Sequence, residues 1–205
     1  MQKLDFKKEY GDWYTASTNQ VKWVTMPSVN YLMMDGKGDP NTTPEYARAL
    51  EALYALAYTI KFRVKRVTEM DFGVLPLEGL WWVPNMELFS VENKNDWLWT
   101  MMILQPPLVT AKLVTECLDE ARRKKDLPNL DQLRFEGYDE GQAAQVMHIG
   151  PYSTEAPTIQ KLHDFIQAQD CQRRGKHHEI YLGDPRRSDP AKLRTILRQP
   201  VDCKG

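Results

Sequence analysis

The segment His177–His178–Glu179–Ile180–Tyr181–Leu182 changes chemistry with every residue. On an extended strand successive side chains point to opposite faces. His177, Glu179 and Tyr181 therefore fall together, and His178, Ile180 and Leu182 fall on the reverse, which belongs in a core. The first set puts a carboxylate between an imidazole and a phenol. In a cleft walled by aromatics, burial would raise the acid's pKa, and it would serve as a general base on water or pair with a cationic ligand group. On a half-solvated strand the same glutamate is an ordinary surface residue. The alternation alone leaves both readings open.

No standard catalytic signature competes with this face. There is no Gly-x-Ser-x-Gly and no cysteine in a reactive motif. Gly36–Lys37–Gly38 lacks the Gly-Lys-Ser/Thr ending of a phosphate loop and reads as a turn. His177 and His178 diverge as strand neighbours, and the three cysteines form no zinc spacing, so neither metal nor cofactor is expected. Arg186 and Arg187, following Asp184–Pro185, read as turn ion pairs rather than a phosphate site.

The aromatic residues are the natural walls for such a site. Trp81 and Trp82 are adjacent, so one faces core and the other cleft. Trp97 and Trp99 share a face and pose the same question. Tyr138 and Tyr152 flank a strand on which Met147 and His148 alternate, and one of that pair shares the wall of Glu179. The candidate set is thus Glu179 as the catalytic acid or base. Trp81, Trp82, Trp99, Tyr138, Met147, Tyr152, His177 and Tyr181 are its ligand-binding surroundings.

These residues need elements to hold them. Val29–Asp35 reads as a strand closed by Gly36–Lys37–Gly38–Asp39–Pro40. Thr43 suits a helix N-cap, Pro44 the first turn and Glu45 the positive dipole end. Ala47, Leu50, Leu53, Tyr54 and Ala57 then keep helical spacing to about Tyr58. Phe72–Val83 and Trp97–Leu104 are strand-like, the latter closed by Gln105–Pro106. A helix over about Leu108–Lys125 ends in Arg122, Arg123, Lys124 and Lys125, which complement the dipole of its C-terminus. The order then repeats. Strand Ala143–Ile149 precedes a helix opened by Thr154 and Glu155, with Pro157 in its first turn. Strands His178–Leu182 and Leu193–Val201 follow, the last closing on Gln199–Pro200. Each half is strand, helix, strand, strand. The expected fold is α+β: two tandem modules with pseudo-two-fold symmetry and a ligand groove between them. Module one spans about residues 21–106, the connecting helix about 108–125 and module two about 133–201, within one domain.

The 205 residues carry 27 basic and 28 acidic side chains, a formal net charge of −1. That balance argues against nucleic acid or an anionic membrane as partner. The first ten residues are polar and no run is long enough to span a bilayer, so neither a signal peptide nor a transmembrane helix is expected. Three widely spaced cysteines, Cys117, Cys171 and Cys203, read as reduced thiols in a cytoplasmic protein.

Four segments carry a family resemblance: Tyr31–Pro40 (YLMMDGKGDP), Pro76–Trp82 (PLEGLWW), Val146–Tyr152 (VMHIGPY) and the terminal HHEIYLGDPRR with its ILRQPV. Together they resemble the GyrI-like small-molecule-binding family over about Leu4–Val201. The likeness is to its stand-alone subgroup, without a preceding helix-turn-helix. The resemblance implies a groove for bulky hydrophobic molecules, often planar or cationic, with Glu179 at the position of a recurring acidic groove contact. Some similar members are hydrolases of cyclopropane-bearing DNA-alkylating compounds, working through an aromatic cage. By that likeness Glu179 would activate a water that opens the ring. A tyrosine among Tyr138, Tyr152 and Tyr181 would donate to the conjugated carbonyl. The alternatives are a monomeric protein that binds or sequesters drugs without chemistry, and an interaction module acting on gyrase.

Overall fold

The computed structural model describes residues 2–86, 94–124 and 127–204. In chain order it contains β1 (Gln2–Leu4), α1 (Phe6–Glu9), β2 (Lys22–Met26), β3 (Val29–Lys37), α2 (Pro44–Thr68), β4 (Met70–Phe72), β5 (Leu77–Trp82) and β6 (Leu98–Leu104). It continues with α3 (Ala111–Lys124), β7 (Arg134–Tyr138), β8 (Gly141–Ile149), α4 (Ala156–Ala168), β9 (Cys171–Arg173), β10 (His177–Tyr181) and β11 (Arg194–Cys203). The fold is α+β, as the repeated pattern predicts.

The main sheet runs β2-β8-β11-β10-β5-β6-β3-β7. Its centre reads β8-β11-β10 against β5-β6-β3, so the two strand-helix-strand-strand units meet at the antiparallel β10–β5 seam. Across that seam His177 pairs with Trp81, Glu179 with Gly79, and Tyr181 with Leu77. The helices α2 and α4 lie on one face of the sheet. Their buried residues are Leu53, Leu56, Ile60 and Val64 in α2 and Ile159, Leu162 and Ile166 in α4. The shared Gln-Pro ends have a common physical role. Gln105 and Gln199 are buried and spend their amides on main-chain carbonyls, Ile103 and Leu104 in one case and Arg174 and Pro200 in the other.

Several expectations are corrected. The first long helix continues ten residues past Tyr58, because Ile60 and Val64 keep the apolar stripe going to Thr68. Thr43 stands at its N-cap position but makes no side-chain cap bond. Its hydroxyl fills the space beside Gly38, where φ is +100° and an added Cβ would lie 2.5 Å from it. The α4 helix starts one residue later than its Thr-Glu signal suggests. Thr154 donates to the Pro151 carbonyl (2.8 Å), and Glu155 occupies the N-cap position without capping. Lys125, assigned to the end of the connecting helix, lies outside the described residues.

The cysteines are not all reduced. Cys171 and Cys203 face each other in the β9–β11 pair and form a disulfide across a separation of 32 residues, while Cys117 is buried and free. A pairing on adjacent strands is invisible in spacing that wide. Among the described residues no helix is long and apolar enough to cross a membrane.

Candidate functional site

The floor of the site is the seam of β5 and β10. Residues 77, 79 and 81 of β5 and 177, 179 and 181 of β10 share the helix-bearing face. The walls are α2 on one side and the Tyr152–Ile159 turn and first coil of α4 on the other. Because these helices pack over separate modules, a groove of about 1830 Å³ opens between them.

Glu179 lies on this floor with only 7% of its surface exposed. Tyr181, two residues on along the same face, donates its hydroxyl to Glu179 Oε2 at 2.8 Å. Trp81 Nε1 in turn donates to Tyr181 Oη at 3.0 Å. On the other side His177 Nε2 lies 3.3 Å from Glu179 Oε1. The strand alternation therefore becomes a chain of contacts: indole to phenol to carboxylate, with an imidazole behind. This chain fits only because its cross-strand partner is glycine. A Cβ on Gly79 would come within 2.8 Å of Trp81 Nε1, 3.1 Å of Tyr181 Oη and 3.2 Å of Met101 Sδ.

Rings close around this centre. Trp97 packs against Trp81 at 5.2 Å between centroids, and Tyr46 lies 6.1 Å from Trp81. Tyr152 meets Tyr181 edge-on at 5.6 Å. Further along α2, Tyr54, Tyr58 and Phe62 stack at four-residue intervals, leading from the groove to the surface. The phenols are poor acids here. Burial and then the Glu179 charge push Tyr181 and Tyr46 up. Tyr152 is pushed up to about 12 by burial, then by Glu155 and Glu179.

Glu155 is the residue the sequence did not single out. It lines the groove, is 4% exposed, and its Oε1 has no hydrogen-bond partner among the described residues. Burial, then the Glu179 charge, push it up to about 9. The Thr195 hydroxyl and Lys94 lie near enough to favour its charged form without overcoming burial. An acid before a helix reads as a dipole complement, so its sequence position hides a side chain turned into a cavity.

Of the sequence candidates, Glu179, Trp81, Tyr152 and Tyr181 line the groove, and His177 stands behind Glu179. Four do not. Trp82 has the opposite parity to Trp81 and turns to the far side of the sheet, where the Lys176 ammonium sits 3.4 Å above its ring. Trp99 shares the groove face but is fully buried beneath Tyr46, its ring filling the space beside Gly36. Met147 pairs with Ile196 and Tyr138 with Val29, both on the far face. There Tyr138 packs edge-on against Tyr31. His148, not Met147, shares the face of Glu179, and it is spent tying β8 to α4 through Thr158 (3.0 Å). The alternation fixed relative faces, but choosing which face meets the helices needed the tertiary packing. Trp97, Tyr46 and Tyr54 join the groove instead. The sequence marks Trp97 only as a neighbour of Trp99 and Tyr54 only as a core position.

The far face holds a second polar cluster, tied together by ion pairs and hydrogen bonds. His178 contacts Glu140 Oε1 through Nδ1 at 2.7 Å and Glu78 Oε2 through Nε2 at 3.0 Å. Arg198 donates to Glu140 (3.1 Å), Gln145 (2.9 Å) and the Trp13 carbonyl (2.6 Å). Tyr14 donates to Glu78 at 2.8 Å. Burial works against every charge here, yet the partners prevail. The Glu140 charge holds His178 up to about 9, and His178 and Arg198 hold Glu140 down to about 2.

Comparison with known proteins gives the family and the fold. The model of the GyrI-like small molecule binding domain matches residues 19–201. Three solved structures from Listeria innocua are similar over nearly all of both chains. One is an uncharacterized conserved protein, 39% identical with a TM-score of 0.89, covering 97% of this chain and 100% of its own. Two are hydrolases. The first is 38% identical, with a TM-score of 0.86 and coverage of 98% and 100%. The second is 37% identical, with a TM-score of 0.84 and coverage of 97% and 100%. No curated protein matches.

Proposed function

Because the chain belongs to the GyrI-like small molecule binding domain family, we propose that it binds a bulky, hydrophobic, ring-bearing molecule in the groove and hydrolyses it without a cofactor. The substrate class is a strained electrophile: a cyclopropane conjugated to a carbonyl, the warhead of DNA-alkylating toxins. The observation that carries the reading is the Trp81–Tyr181–Glu179 chain on the floor of an aromatic groove. It fixes the orientation of one carboxylate oxygen, while the other lies 3.3 Å from His177 Nε2. Rings on both walls would hold a flat ligand by stacking and keep bulk water out. Glu179 would then accept a proton from a single trapped water as its oxygen attacks the ring carbon. The two Listeria innocua hydrolases, at 38% and 37% identity over the whole chain, support hydrolysis as the reaction type.

One observation favours a second reading, binding without turnover. The groove, about 1830 Å³, exceeds the ~300–1,000 Å³ usual for a small-molecule site, as a permissive sequestering protein would require. Incubation with a cyclopropane-bearing alkylator, followed by mass spectrometry, separates the two. Ring-opened, water-added product that disappears in Glu179→Gln supports the hydrolase. Saturable binding with the probe recovered intact leaves sequestration as the function.

A further inference from the structure

We infer that Glu155 is the proton donor of this groove, the acid that completes the ring opening begun at Glu179. The inference rests on the hydrolase reading above and extends it to the second proton. Opening a cyclopropane conjugated to a carbonyl moves two protons. The water oxygen forms a bond to a ring carbon, one ring C–C bond breaks, and its electron pair passes through the conjugated system to the carbonyl oxygen. One proton leaves the water for Glu179. Another must reach the carbonyl oxygen, or the product is left as an oxyanion against the buried rings of the groove floor.

The obvious donors are unsuited. The Tyr181 hydroxyl hydrogen is already given to Glu179 at 2.8 Å. Tyr46, Tyr54 and Tyr152 line the groove, but burial pushes each of these phenols up and makes it a weaker acid still. Glu155 remains. Its carboxyl is buried in the groove wall, its Oε1 meets no protein partner among the described residues, and it does not cap the helix it precedes. No local backbone need therefore explains where this side chain points. The groups around it are Glu179 and Tyr181 from β10, Tyr152 from its own turn, Lys94 from the segment before β6, and Thr195 from β11. Burial and the like charge of Glu179 outweigh the opposing pair, so the carboxyl keeps its proton at neutral pH. Two carboxyl groups facing one cavity, one of them held neutral by its surroundings, form an acid–base pair. The balance closes. Glu155 gives a proton to the substrate oxygen, Glu179 gains one from water, one water is added and no electron is transferred. Return of the proton from Glu179 to Glu155 resets the site.

The test uses the whole protein and a cyclopropane fused to a cyclohexadienone, with turnover followed from about pH 6 to about pH 10. Wild-type kcat is expected to fall as pH rises through about 9. Glu155→Gln is expected to lower kcat about 100-fold, leave KM within about threefold and abolish the alkaline fall. Glu155→Gln with wild-type kcat and an intact alkaline fall overturns the inference and leaves the hydrolase reading standing. Wild-type protein that binds the probe and never opens it overturns the hydrolase reading, and the inference with it. Infrared spectra of the wild type supply a check that does not depend on the variant folding. A carboxylic-acid carbonyl band present at neutral pH and lost near pH 9 is expected, and its absence overturns the inference.

Discussion

The two faces of the sheet at the β10–β5 seam meet acidic residues under opposite regimes. On the far face Glu78 and Glu140 are buried at 1% and 2% exposure, and each has a cationic partner within 3.1 Å. On the groove face Glu155 and Glu179 are buried nearly as deeply, and burial and then the Glu179 charge push Glu155 up. With His178 and Arg198 beside it, Glu140 is held ionised, a structural rivet. Glu155, buried with another acid in the same groove, is pushed up to about 9 and keeps its proton at neutral pH. The same residue type thus ties the far side of the sheet together and, under the proposed function, carries the chemistry on the groove side.

The comparison breaks most visibly at Arg198. Replacing it with Met leaves Glu140 buried with one cation fewer and the Trp13 carbonyl without its donor. We expect a loss of about 3–5 kcal/mol in urea unfolding. A loss below about 1 kcal/mol would mean that the cluster contributes little to folding. Glu179→Gln is the counterpart on the groove face. Turnover should fall at least about 100-fold while the unfolding midpoint moves little. A variant that unfolds instead would place Glu179 among the structural acids.

Gly79→Ala probes the seam between the two regimes. The added methyl drives into the Trp81 indole and the Tyr181 hydroxyl, so it should cost about 1–3 kcal/mol in thermal unfolding. It should also weaken binding of an aromatic probe, read by quenching of the protein's tryptophan fluorescence. Unchanged affinity would show that the indole-phenol-carboxylate chain does not shape the groove.

In stability, Glu155→Gln should give the smallest change and the opposite sign. Held above its unfolded value, the Glu155 carboxyl binds more proton when folded, so its contribution is fully present below about 4.5 and declines as pH rises toward about 9. Removing it should raise stability at pH 8 by about 1 kcal/mol. The paired cluster obeys a different profile. His178, raised to about 9, contributes fully below 6.5 and loses that contribution as pH climbs through 9. Glu140, lowered to about 2, contributes fully above 4.5 and loses it as pH falls toward 2. The cluster is therefore strongest between about 4.5 and 6.5, and unfolding midpoints measured across pH should show that plateau in Glu155→Gln. A variant whose stability climbs steadily to pH 8 would sink this assignment of charges.

Much of this architecture was legible before any coordinates. Hydrophobic period and Gly/Pro punctuation located β3, β5, β6, β8, β10 and β11, the helices between them and their repeated order. These signals are local, and local signals survive in a string of letters. The strands β2 and β7 at the two edges of the main sheet gave no such signal, nor did β1, β4 and β9, whose three residues are too few for a period to establish itself. The Cys171–Cys203 bond was missed for a related reason, since only the β9–β11 register brings the two thiols together.

Within the site the division is sharper. Sequence alone determined that His177, Glu179 and Tyr181 share a face, that Trp81 and Trp82 do not, and that His178 and Ile180 turn inward, because strand alternation is covalent geometry. It could not determine which face the helices cover. That depends on where α2 and α4 pack, and the packing sent Trp82, Tyr138 and Met147 to the far side while bringing Trp97, Tyr46 and Glu155 into the groove. Parity is a property of neighbours along the chain. A cavity, and the proton that burial leaves on Glu155, are properties of residues that only folding makes neighbours.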